Sequence, residues 1–150
     1  MKKILLAFVL FLGGTTLALA QTPTQKVYAA VVKNHPADVD ALLKAGADAN
    51  APVEMMPGFP TNFLILAAGR SQTEIVKVLL QHKAQVNKPD SFNATALMAA
   101  AGEGNAELVS LLLAAGADPK IKDSDGKDAL ASAKESGNAE VVKLLQAKLK

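Results

Sequence analysis

The sequence predicts an all-α solenoid of about four helix-turn-helix repeats connected by short projecting loops. Three observations lead to this fold class. Leucines and capping residues recur every 33 positions, apolar residues recur at helical spacing within each unit, and half of the residues are hydrophobic although only 4% are aromatic. Small aliphatic side chains suit thin helices that stack closely better than they suit a bulky aromatic core.

The repeat spacing is regular except at one junction. Leu64, Leu97 and Leu130 follow one another at the full repeat spacing. The first unit is instead offset from the second by a longer interval, because Asn50 aligns with Asn87. Four residues are therefore inserted between these two units. The predicted repeats cover about residues 25–56, 57–89, 90–122 and 123–150.

Capping residues mark the predicted helix ends. Asn62, Thr95 and Asp128 occupy the same position of successive units, and each has a side chain that can accept hydrogen bonds from the first turn of a helix. Gly46 and Gly116 are predicted to end second helices in a left-handed conformation. The predicted starts of the second helices are Pro36 after His35, a capping box at Ser71–Glu74, Asn105 and Asn138.

Several of these segments resemble the ankyrin repeat. They are Gly-Ala-Asp-Ala-Asn at 46–50, Gly-Ala-Asp at 116–118, and the Glu-Ile-Val, Glu-Leu-Val and Glu-Val-Val starts of the later second helices. The resemblance covers about residues 25–150 and implies two antiparallel helices and a projecting loop in every unit. The family's Thr-Pro-Leu-His tetrapeptide is replaced by Asn-Phe-Leu-Ile, Thr-Ala-Leu-Met and Asp-Ala-Leu-Ala, so the hydrogen bonds of its histidine are absent.

The resemblance also implies where a partner protein would bind. Proteins with this repeat usually contact partners through the projecting loops and through the concave face formed by the first helices. Transferred position by position, this pattern selects residues near the inter-helix turns and at the loop tips. These candidates are Lys33, Arg70, Glu103, Ser91, Phe92, Asp125 and Lys127.

The inserted loop is the clearest departure from a regular repeat. Residues 51–61 read APVEMMPGFPT and place Met55, Met56 and Phe59 close together among three prolines. Methionine and aromatic residues are enriched in interface cores, and proline lowers the entropy lost when a loop becomes ordered. We expect a binding surface that Phe92 of the next loop could extend. The alternative is that these side chains fold back as local core.

Residues 1–20 have the pattern of a secretory signal peptide. Lys2 and Lys3 precede the apolar run 4–12, and Ala18-Leu19-Ala20 suits cleavage before Gln21. The alternative is a retained membrane anchor, although this stretch is short for a span and contains two glycines. Export would place the mature protein, residues 21–150, in the periplasm or outside the cell.

The charge and the scarcity of reactive residues favour a binding protein over an enzyme. After removal of Lys2 and Lys3, the mature chain has 14 basic and 14 acidic residues, which gives no basic surface for nucleic acid or for a membrane. There is no cysteine, and His35 and His82 occupy different repeat positions. We therefore expect a monomeric, non-enzymatic protein-binding module with no cofactor and no metal. The alternatives are a small hydrolase that uses a histidine–serine pair and a membrane-tethered structural protein of the cell envelope.

Overall fold

The computed structural model describes residues 21–150, and the predicted signal peptide at residues 1–20 lies outside the described residues. The described part contains eight α-helices and one two-stranded sheet. The helices are α1 Pro23–Val32, α2 Pro36–Lys44, α3 Phe63–Ala68, α4 Thr73–Gln81, α5 Ala96–Gly102, α6 Ala106–Ala114, α7 Ala129–Ser136 and α8 Ala139–Leu149. The strands are β1 Pro52–Met56 and β2 Phe59–Asn62.

Consecutive helices pack in pairs, and the pairs stack side by side as a repeat solenoid requires. Within a pair, α1 packs on α2, α3 on α4, α5 on α6 and α7 on α8. Between pairs, α3 packs against α1 and α5, and α5 packs against α7. The first helices approach closely because alanines such as Ala67, Ala100 and Ala133 are fully buried between them. The second helices contribute larger buried side chains at one repeated position, including Leu79, Leu112 and Leu145.

Most predicted caps are confirmed. The side chains of Asn62, Thr95 and Asp128 accept hydrogen bonds from the first turns of α3, α5 and α7. Asn105 and Asn138 do the same for α6 and α8.

The predicted capping box at Ser71–Glu74 is wrong. Ser71 has a φ of 54° and lies in the left-handed turn before α4. Gln72 is the N-cap residue and makes no side-chain capping bond. Its side-chain amide instead donates to the Val31 carbonyl oxygen of the preceding unit at 2.8 Å. The polar side chain at this position therefore joins two units rather than capping a helix.

The structure departs from the predicted all-α fold at the inserted segment, where the sequence predicts a loop. Residues 52–62 form an antiparallel β-hairpin in which Pro52 pairs with Asn62 and Met56 pairs with Phe59. Gly58 closes the turn with a φ of 82°, a conformation that glycine adopts without steric cost. The predicted boundary between the first two repeats, at residues 56 and 57, lies in this hairpin.

Asparagine side chains connect successive units at the loop bases. The Asn50 side chain donates to the Lys83 carbonyl oxygen and accepts from the Gln85 amide at 3.2 and 2.8 Å. Asn87, at the same repeat position, makes the corresponding bonds to Gly116 and Asp118 at 3.1 and 2.8 Å. These pairs of bonds fix the register of one unit on the next.

The first and last units have polar outer faces. Asp38 of α2 is 66% exposed, whereas its counterparts Ile75 and Leu108 in the next two units are fully buried. Lys134 is exposed in the last unit, where the preceding unit has the buried Ala101. Terminal units of a stack need such substitutions because one of their faces contacts water. Among residues 21–150, no helix has the length and apolarity needed to cross a bilayer.

Candidate functional site

The β-hairpin presents a cluster of exposed apolar side chains. Met55, Met56 and Phe59 are 53%, 58% and 46% exposed, and Phe92 in the next loop is 50% exposed. The strand pairing is irregular between Glu54 and Met56. Side chains alternate between the two faces of a regular strand, and this irregularity allows the consecutive Met55 and Met56 to contribute to the same cavity.

The hairpin is attached firmly at its base. Val53 is 5% exposed and Ala51 is 7% exposed, and both belong to the hydrophobic core. The Ser91 amide donates to the Pro60 carbonyl oxygen at 3.0 Å, which fastens β2 to the next loop. The exposed methionines therefore stand on an anchored element and not on a free loop.

Two aromatic rings also attach the tip of the hairpin to the next loop. Phe59 and Phe92 stack with their ring centroids 5.3 Å apart and their planes within 5°. Phe92 is held in place by Asp90, whose carboxylate accepts from the amides of Phe92 and Ala94 at 2.9 Å each. The Phe92 carbonyl oxygen in turn accepts from the Ser124 amide of the following loop at 2.9 Å. The loops thus form a connected row beside the helices.

A cavity of about 330 Å³ lies between the hairpin and the first helices, and we call it the hairpin groove. The hairpin forms one wall, the loop from Asp90 to Phe92 forms another, and small residues of the α3–α4 turn and of α5 lie opposite. The lining residues are Met55, Met56, Phe59, Pro60, Thr61, Ile65, Leu66, Gly69, Arg70, Asp90, Ser91, Phe92 and Ala99. A groove of this size, apolar with a few polar groups, is typical of a binding site.

The charged groups of the hairpin groove are Arg70 and Asp90, and they are held differently. One carboxylate oxygen of Asp90 is occupied by the two loop amides. Arg70 is exposed and makes no ion pair or side-chain hydrogen bond with residues 21–150. Its guanidinium therefore has its hydrogen-bond donors free for a ligand from outside this part of the chain.

The structure brings six of the ten predicted site residues together in the hairpin groove. They are Met55, Met56, Phe59, Arg70, Ser91 and Phe92. The other four lie elsewhere. Lys33 borders a separate depression beside α1 and α2, and Glu103 is exposed at the end of α5.

The loop residues Asp125 and Lys127 are arranged around Asp123. The Asp123 carboxylate accepts from both of their amides at 2.9 Å, as Asp90 does one unit earlier. The Lys127 ammonium also donates to the Glu135 carboxylate at 2.6 Å, and this bond raises the pKa of Lys127 above its ordinary value. Such an exposed pair contributes little to stability, but it occupies a side chain predicted to contact a partner.

Both histidines contact aspartates. His35 Nδ1 lies 3.1 Å from Asp38, and His82 Nε2 lies 2.7 Å from Asp40. Lys44, which is 2.6 Å from Asp40, and then His82 lower the pKa of the Asp40 carboxyl below its ordinary value. Within residues 21–150, neither histidine hydrogen-bonds to a serine, and no group of three potential metal ligands is present.

Sequence reasoning missed part of the groove lining, and one signal could have found some of it. The dipeptide Asp90-Ser91 recurs in the next unit as Asp123-Ser124, and both aspartates organise a loop by accepting two amides. Ile65 and Ala99 gave no such signal, because their apolar side chains at helical spacing look like ordinary core.

Comparison with known proteins agrees with this architecture. The family model for ankyrin repeats, which holds three copies, matches residues 27–123 and 64–149. No curated protein matches the chain significantly. The two matched segments together extend over most of the sequence and include the helix pairs, the hairpin and the loop bases described above. The chain therefore belongs to the ankyrin-repeat family.

Proposed function

We propose that this protein is a non-enzymatic interaction module that binds a partner protein through the hairpin groove and thereby protects or inhibits it. Ankyrin repeats are generally protein–protein interaction modules. The observation that carries the proposal is the group of four half-exposed side chains, Met55, Met56, Phe59 and Phe92, next to the groove. Contiguous exposed apolar surface of this kind is a mark of interaction sites, whereas scattered exposed residues are ordinary.

The rigidity of the surface supports the same role. Pro52, Pro57 and Pro60 restrict the hairpin backbone, and the Phe59–Phe92 stack fixes its tip. A partner that binds a preformed surface loses less conformational entropy in ordering it. The methionine side chains are flexible and can adapt to an irregular partner surface.

We further propose that the protein acts in the periplasm after cleavage before Gln21. The basic, apolar and small-residue zones of residues 1–20 support export, and the balanced charge of residues 21–150 favours a protein partner over nucleic acid. N-terminal sequencing of the protein from an extracytoplasmic fraction tests this part. A start at Gln21 supports it, whereas an intact N-terminus in a membrane fraction would favour the tethered structural role.

Site-directed variants test the binding surface. The combined substitutions Met55→Ser, Met56→Ser and Phe59→Ser should abolish retention of the partner in affinity capture and crosslinking from the extracytoplasmic fraction. The melting temperature should change little, because these side chains are about half exposed. Val32→Ser is the matched control, since Val32 is 45% exposed but lies outside the groove. A large loss of melting temperature in the triple variant would show instead that the hairpin is core.

A further inference from the structure

We propose that the partner presents to the hairpin groove a peptide segment with an apolar side chain beside a carboxylate, and that Arg70 binds this carboxylate. This inference deepens the proposed function and rests on it. The apolar groove walls favour an apolar side chain of the partner, and the charged residues of the lining favour a carboxylate beside it.

The apolar part of the recognition follows from the groove floor and walls. Gly69 and Ala99 leave space between α3 and α5, and the methionines and Phe59 enclose that space from the hairpin side. The volume of about 330 Å³ has room for one or two aliphatic or aromatic side chains. Because the walls are half exposed, the groove covers one side of its occupant only, which suits a segment of a larger molecule better than a free small molecule.

The acidic part of the recognition follows from Arg70. Arg70 borders the groove, and its side chain forms no ion pair with residues 21–150. Asp90 is the other charged residue of the lining, and its carboxylate already accepts two loop amides. Arginine binds carboxylates through paired hydrogen bonds of fixed geometry, so a carboxylate is the group that this position would recognise.

Synthetic peptides of defined sequence test the proposal. Each peptide carries leucine, phenylalanine or alanine at one position and glutamate, glutamine or lysine at another, with zero to three Gly/Ser residues between them. Fluorescence anisotropy gives the dissociation constants for the full-length mature protein. We expect leucine or phenylalanine to be preferred over alanine, and glutamate to be preferred over glutamine by about two- to fivefold, as for an exposed ion pair.

A charge-reversal variant assigns the acidic preference to Arg70. Arg70→Glu should reverse the order, so that lysine peptides bind better than glutamate peptides. Lys33→Glu is the matched control, because Lys33 has the same repeat position and charge but lies outside the groove. This control should keep the glutamate preference. An equal effect of both variants would show a general field effect and would overturn the assignment to Arg70.

A variant that fills the groove tests whether the apolar side chain of the peptide binds there. Gly69 has no positive φ, and an added β-carbon there would lie 3.4 Å from the nearest backbone atom, an ordinary contact. Gly69→Leu should therefore fold and should weaken binding of every peptide about tenfold or more by occupying the floor. Gly102→Leu, at the equivalent position one unit later, should leave binding unchanged, since Gly102 does not line the groove.

The outcomes separate this inference from the proposed function. One outcome is that the triple hairpin variant loses the partner protein while the Arg70→Glu variant keeps the wild-type preference for glutamate peptides over lysine peptides. In that case the proposed function stands and this inference is overturned. Absence of binding by any peptide also overturns it. If sedimentation shows a wild-type dimer that Gly69→Leu dissociates, a second copy of this chain occupies the groove and the peptide proposal falls. Peptides that bind the triple variant as well as the wild type would contradict both proposals.

Discussion

The Asn87 side chain provides the most direct test of how the units are held together. It makes two hydrogen bonds to the following unit, one as donor to Gly116 and one as acceptor from Asp118. Each such bond contributes a net free energy of about 0.5–1.5 kcal/mol, so Asn87→Ala should lower the free energy of unfolding by about 1–3 kcal/mol. The lower half of that range is expected, because Asn87 is exposed and water can replace the lost partner.

Urea unfolding followed by circular dichroism measures this loss, and the sequence supplies its control. Lys120 occupies the same position of the next unit but makes no side-chain hydrogen bond within residues 21–150. Lys120→Ala should change the free energy of unfolding by less than about 0.5 kcal/mol. Asn50→Ala should resemble Asn87→Ala, and the two losses should add, since stack stability is a sum of neighbour terms. Equal small effects from Asn87→Ala and Lys120→Ala would refute the reasoning.

Three further predictions concern the core, a left-handed turn and acid stability. Leu112→Ala should lower the free energy of unfolding by about 2–5 kcal/mol, because it truncates a fully buried side chain. Asp128→Ala should lower it by about 0.5–2 kcal/mol, because it removes the cap of α7. Near-zero effects of both variants in urea unfolding would contradict the stacked helices. Lys83 has a φ of 63°, so Lys83→Gly should relieve about 1–2 kcal/mol of left-handed strain against a glycine entropy cost of about 0.5–1 kcal/mol. The urea midpoint of the Lys83→Gly variant should therefore rise. Lys143→Gly is the control, because a glycine inside α8 should lower the midpoint. A lower midpoint in both variants would show that the strain at Lys83 is negligible. The pKa of Asp40 is lowered from 3.8 by Lys44 and then His82, so the stability that Asp40 contributes is complete above pH 5 and lost as pH falls below 4. The stability difference between the wild type and Asp40→Asn should therefore shrink on acidification from pH 5 to pH 2.5, and a difference independent of pH would show that the ion pair contributes nothing.

The sequence predicts the helical frame because each helix start repeats its chemistry at a fixed interval. Asn62, Thr95 and Asp128 differ in type but share one hydrogen-bonding capability, and the structure confirms all three as caps. Left-handed turns are not predictable from the repeat where a position carries a residue other than glycine. Ser71 and Lys83 adopt the left-handed conformation that glycine adopts at the same positions of other units. Serine and lysine rarely adopt this conformation, so neither residue predicts it.

The hairpin was visible in the sequence only as an insertion. Its three prolines are not typical of a strand, because proline cannot donate a hydrogen bond inside a sheet. They are tolerated because Pro52 begins β1, Pro57 lies in the turn between the strands, and Pro60 lies in a two-stranded sheet in which both strands are edge strands. The exposure of Met55, Met56 and Phe59 required the three-dimensional packing, since the same residues could have folded back onto α1 or α3.

The candidate site depends on departures from the repeat and not on the repeat itself. Phe92 stacks on the hairpin, whereas its counterpart in the next unit is Asp125. Arg70 borders the groove, whereas its counterparts are Lys33, which faces another depression, and Glu103, which has the opposite charge. The four inserted residues precede the second unit, which carries Arg70, and Phe92 follows at the start of the third unit. A backbone that repeats four times would offer four similar surfaces, but these three changes meet around the second unit, where they form the hairpin groove. Binding that depends on all three changes should be confined to the hairpin groove around the second unit, whatever partner supplies the apolar and acidic groups.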